Sequence, residues 1–79
     1  MDINLLNKIQ EQIDECYQKY GEYASLKEAL AVLQEEVFEI FEESRKHELD
    51  FDCIKNEICD CLTVLFKMYD DIVIKRNKR

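Results

Sequence analysis

The sequence has no proline, no tryptophan, one glycine (Gly21) and one histidine (His47). Without proline, and with one glycine, it lacks the punctuation that several strands and tight turns would need, and its abundant Glu, Leu and Lys favour helix. The predicted class is all-α. Cys16, Cys53, Cys59 and Cys61 form no C-x-x-C pair, and His47 stands alone, which argues against a zinc site. The thiols are expected to be reduced, mostly as small core residues. No signal-peptide pattern and no apolar run long enough for a bilayer is present, so a cytoplasmic protein without membrane association is expected. With 79 residues, the chain is expected to form a single domain (1–79) whose small core needs help. The expected help is a second copy, as a homodimer or homotetramer.

Charge is plentiful and mostly of one sign. The formal net charge is -7, and four of the eleven basic residues lie in the closing Lys75-Arg76-Asn77-Lys78-Arg79. The body before this short basic tail (75–79) is therefore strongly acidic, which disfavours stable nucleic-acid binding. It would attract metal cations, or phosphates that carry cations with them. The tail itself is expected to complement a helix C-terminus, with contact to phosphate or a membrane surface as the alternative.

Apolar spacing predicts three helices, at about 3–20, 25–47 and 52–75. The first carries Ile3, Leu6, Ile9, Ile13, Cys16, Tyr17 and Tyr20 and stops at Gly21. Ser25-Leu26-Lys27-Glu28 has the form of a capping box and opens the second, with Leu26, Ala29, Leu30, Leu33, Val37, Ile40 and Phe41 as its stripe. Asp50 or Asp52 is the predicted N-cap of the third, which carries Ile54, Ile58, Cys61, Leu62, Leu65, Tyr69 and Ile72 on one face. The short second connection makes the last two helices antiparallel.

Four acids interrupt these stripes. Glu36 falls between Leu33 and Ile40, and Glu39 follows about 60° around the same helix. Glu57 falls between Ile54 and Cys61, with Asp60 on its flank. None of the four has a Lys or Arg three or four residues away, whereas Glu42, Glu43 and Asp71 do and read as ordinary surface acids. Across an antiparallel pair the four can meet at one level. Converging carboxylates short of water either take up protons or bind a cation, and an oxygen-only set suits Mg²⁺ or Mn²⁺. The spacing alone also allows an oligomer interface or a solvated acidic face.

Glu35-Glu36-Val37-Phe38-Glu39, followed after seventeen residues by Glu57-Ile58-Cys59-Asp60, resembles the E-E-x-x-E…E-x-x-D signature of MazG-like nucleotide pyrophosphohydrolases. Tyr20-Gly21-Glu22-Tyr23-Ala24-Ser25 resembles the entry to the motif helix in the short forms of that family. The resemblance implies a helical-bundle homo-oligomer that hydrolyses a nucleoside triphosphate to the monophosphate and pyrophosphate. Glu36, Glu39, Glu57 and Asp60 would hold Mg²⁺, with Mn²⁺ as a substitute. Glu35 or Glu39 would orient or deprotonate the attacking water, and Lys27, Lys67, Tyr20, Tyr23 and Phe38 are substrate-binding candidates. The chain is shorter than typical members and lacks a Trp to stack on a base. The alternative expectation is a non-catalytic MazG-like helical binding or regulatory protein, phage- or mobile-element-borne, that acts through a protein partner.

Overall fold

The computed structural model describes residues 2–76 and contains no strand among them. Helix α1 spans Ile3–Tyr20, α2 Leu26–Ser44 and α3 Phe51–Met68, and α3 runs on into a π-helical segment, Tyr69–Lys75. No helix among the described residues is long and apolar enough to cross a membrane.

Each helix start has a side-chain cap that satisfies otherwise orphaned N–H groups. The Asp2 carboxylate accepts from Asn4 N–H at 2.9 Å. Ser25 Oγ accepts from Glu28 N–H at 3.1 Å, while Glu28 reaches back to Ala24 N–H at 3.2 Å. For α3 the cap is Asp50, which accepts from the N–H groups of Asp52 and Cys53. Helix α1 stops at Gly21, whose φ of 69° is left-handed backbone that glycine adopts without strain, and whose N–H donates to the Tyr17 carbonyl.

The second helix ends at Ser44, sooner than the expected residue 47. Ser44 Oγ donates to the Phe41 carbonyl at 2.6 Å, and the Arg45 and Lys46 N–H groups turn to carbonyls three residues back. These bonds tighten the chain out of the α-helix and into the connection. Beyond Met68 the expected α-helix widens to π geometry. Residues 77–79, most of the basic tail, lie outside the described residues.

Helix α3 packs against both α1 and α2. Between them lies a small core of Ile9, Ile13, Ala29, Cys59, Cys61 and Val64. All four cysteines are free. The expected inward faces of the last two helices need correction. Only Ala29 of the α2 stripe is buried, and Leu26, Leu30, Val37 and Phe41 are exposed. On α3, Cys61 of the expected face is buried, but Ile58 and Leu65, and Tyr69 in the π-helical segment, are exposed. The buried series Cys59, Thr63, Lys67 and Asp71 runs at helical spacing along the inner side instead.

Candidate metal centre and adjoining cavity

The six-residue connection from Arg45 to Asp50 folds α3 back along α2, so residues equidistant from it come level. Glu39 then meets Glu57, and Glu36 meets Asp60. One carboxylate oxygen from each of Glu36, Glu39, Glu57 and Asp60 lies within 4.8 Å of all the others. The four acids draw on no cation, for none of the ion pairs among the described residues involves them.

The electrostatics follow from this crowding. Burial, then the charges of Glu39 and Asp60, push the Glu36 carboxyl up to about 7. Glu57 rises to about 7 chiefly through the adjoining Glu39 carboxyl, with burial and the other neighbouring charges adding to it. Glu36 Oε2 and Glu57 Oε2 are both buried without a hydrogen-bond partner. Such oxygens are costly when ionised and are satisfied by a proton or a cation. An all-oxygen set of this kind fits Mg²⁺ or Mn²⁺, since it offers carboxylates and no soft ligand.

Beside the cluster opens a cavity of about 560 Å³, within the range of small-molecule sites. Glu35, Glu36, Asp60, Tyr20, Tyr23 and Lys67 are among the residues that line it. Lys67 is 2 % exposed and Asp71 0 % exposed. Lys67 Nζ donates to Asp71 Oδ2 at 3.2 Å and sits 3.8 Å from the Tyr23 ring centroid and 4.6 Å from that of Tyr17. Tyr17 Oη donates to Asp71 and also lies 2.8 Å from Asp70, while Tyr23 N–H donates to Asp71 at 3.0 Å.

Burial pushes the Asp71 carboxyl up, but the bonds from Tyr17, Tyr23 and Lys67 outweigh it and hold the carboxyl below its ordinary value. Tyr23 is pushed up to about 12, first by burial and then by nearby negative charge. Tyr17 is raised further, by burial and by donating to Asp71 and Asp70. Asp71 is therefore not the solvated surface acid expected from its spacing. It pairs with Lys67 and with Lys75, as its spacing allowed, but from a fully buried position.

Of the expected site residues, Glu35, Tyr20, Tyr23 and Lys67 line the cavity with Glu36 and Asp60. Lys27 is exposed and does not line it. Phe38 lies on a shallow outer groove with Glu35 and Glu39, and its ring centroid is 6.2 Å from that of Phe41. Gln12 and Thr63 line the cavity too, and neither stands out in the sequence. Gln12 comes from α1, and no spacing within one helix reports a contact between two.

No family model, curated protein or solved structure matches the chain. The class of protein is therefore read from the site itself: an all-helical chain with a four-carboxylate centre beside a cavity.

Proposed function

We propose that the chain is a Mg²⁺-dependent nucleoside triphosphate pyrophosphohydrolase, acting as a homo-oligomer and releasing a nucleoside monophosphate and pyrophosphate. The observation that carries this reading is the meeting of Glu36, Glu39, Glu57 and Asp60 at one point, with Glu36 and Asp60 also lining a nucleotide-sized cavity. The likeness to the MazG-like signature supplies the reaction class.

Lys67 and Asp71 neutralise each other, so the acids leave the cavity negative. A triphosphate would be repelled unless cations accompanied it. Glu36, Glu39, Glu57 and Asp60 are the residues to hold Mg²⁺, which when bound supplies charge neutralisation and alignment for in-line attack. Glu35, at the cavity wall, or Glu39, within the cluster, would orient a water or take its proton. Tyr20 would offer a ring face to a base, Tyr23 only the face not covered by Lys67, and Lys67 has N–H donors beyond the one given to Asp71.

The test incubates the full chain with canonical and modified nucleoside triphosphates plus Mg²⁺ or Mn²⁺ and measures monophosphate and pyrophosphate. Turnover is expected in the wild type, with a loss of about 100-fold or more in Glu36→Gln and Asp60→Asn, because each removes a ligand of the activating ion. Absence of turnover on every substrate would sink the enzyme reading. It would favour a non-catalytic helical protein that works through a partner, a reading for which the exposed stripes of α2 and α3 speak.

A further inference from the structure

We propose that Gln12, from outside the two acid-bearing helices, is the positioning residue of the metal centre: its side-chain amide fixes the orientation of Asp60. The inference rests on the metal reading of the four-acid cluster. Gln12 Nε2 donates to Asp60 Oδ1 at 3.2 Å, and Thr63 Oγ1 donates to Gln12 Oε1 at 2.9 Å. Thr63 is itself buried, at 5 % exposure, and its hydroxyl also lies 2.9 Å from the Cys59 carbonyl. With its one proton given to Gln12, Thr63 starts a chain of two hydrogen bonds that runs through Gln12 to Asp60.

Its direction is set by chemistry. An ionised carboxylate only accepts, so the amide must turn its NH₂ to Asp60, and its carbonyl then needs the single proton of Thr63. Among the hydrogen bonds of the described residues, this is the one that joins any of the four acids to a side chain outside their set. The terminal torsion of an Asp is otherwise broad, so an untethered Asp60 would swing among orientations. With one oxygen engaged, the carboxylate has the other to offer the ion.

The neutrality of the amide matters as much as its geometry. A Lys or Arg at position 12 would form an ion pair with Asp60 and cancel charge that a cation site needs. Gln12 orients the ligand and leaves that charge in place, which is how outer partners of metal-binding carboxylates work. Its place on α1 gives that helix a role in the site, although the four acids lie on α2 and α3.

The test titrates the full-length chain with Mn²⁺ and compares wild type with Gln12→Met, Thr63→Val and Thr63→Ser, with Glu36→Gln as the ligand control. Gln12→Met keeps the length of the side chain and removes its hydrogen bonds. A fall in Mn²⁺ affinity of about 10- to 100-fold is expected for Gln12→Met. A smaller fall is expected for Thr63→Val, and recovery in Thr63→Ser, all at unchanged helicity. In wild type, Mg²⁺ titration should also shift the NMR signals of the Gln12 side-chain NH₂ group.

If Glu36→Gln weakens binding while Gln12→Met and Thr63→Val bind as wild type, or if the Gln12 amide ignores Mg²⁺, the positioning role is overturned and the metal centre stands. If the wild type binds no Mn²⁺, the metal reading falls first and this one with it.

Discussion

Glu36 and Glu57 are held where an ionised carboxyl is costly, and this ties the stability of the chain to pH and to cations. Both carboxyls rise from an ordinary 4.5 to about 7. A carboxyl raised in the folded state binds its proton more tightly there than in the unfolded chain. Its contribution is therefore complete below about pH 4.5 and lost as the pH climbs through about 7. After allowance for solvent screening and for their coupling, the pair accounts for something on the order of 1–3 kcal/mol. Metal-free protein should melt progressively lower between those pH values, and Mn²⁺ added at about pH 8 should restore the melting temperature. A flat metal-free profile, together with indifference to Mn²⁺, would remove the physical basis for a cation site. The buried Lys67–Asp71 pair gives a second prediction. Lys67→Met removes the buried partner of a fully buried carboxylate and should cost about 3 kcal/mol in urea unfolding, at the lower end for a broken buried pair because Lys75 remains 3.8 Å away and Tyr17 and Tyr23 still donate to Asp71. Lys67→Met combined with Asp71→Leu should recover part of that loss; a double variant no better than the single would show that the pair is not the unit. The convergence of the four acids was legible, because i, i+3 spacing and an antiparallel return suffice to bring them level. Gln12 and the burial of Lys67 and Asp71 were not, since both depend on α1 lying against α3.

Among the elements, helix starts were easier to read than helix ends, because a start is decided by a capping side chain a few residues away. Ser25 and Glu28 form their box as the sequence proposed, with Glu28 returning to Ala24 N–H. At α3 the sequence allowed Asp50 or Asp52, and the hydrogen bonds select Asp50. Asp50→Ala should therefore lower the melting temperature by about 4–8 °C, while Asp52→Ala, which loses only a favourable charge in the first turn, should lower it by less than half of that. Equal losses in the two variants, measured by thermal melts at one protein concentration, would contradict the cap assignment. Helix ends depend on contacts that spacing does not carry. The π-helical stretch Tyr69–Lys75 places Asp70 and Asp71, neighbours in sequence, both against the Tyr17 hydroxyl. Nothing in the local composition announces that widening, because its partner Tyr17 is 53 residues from Asp70, on α1.

At the scale of the whole molecule the single chain is open for its size. Its radius of gyration is 13.8 Å, against about 12 Å expected for a compact chain of this length. Its accessible surface is 6106 Å², against about 5,000 Å² for a folded protein of its mass. The excess is not polar loop: it includes Leu26, Leu30, Val37 and Phe41 along α2, and Ile58, Leu65 and Tyr69 along α3. The periodicity of both stripes was legible in the sequence, but spacing does not say whether a stripe faces the same chain or another. Facing outward, two such stripes are what a helical bundle of several copies would bury, and a standard interface needs about 800 Å² from each partner. The expected outcome in analytical ultracentrifugation at about 100 µM is a dimer or larger assembly, with a melting temperature that rises with protein concentration. Leu30→Gln with Leu65→Gln keeps helix propensity and leaves the acids alone, so it should lower the assembled fraction and the melting temperature together. A wild-type chain that sediments as a monomer at that concentration would mean that a different protein covers these stripes.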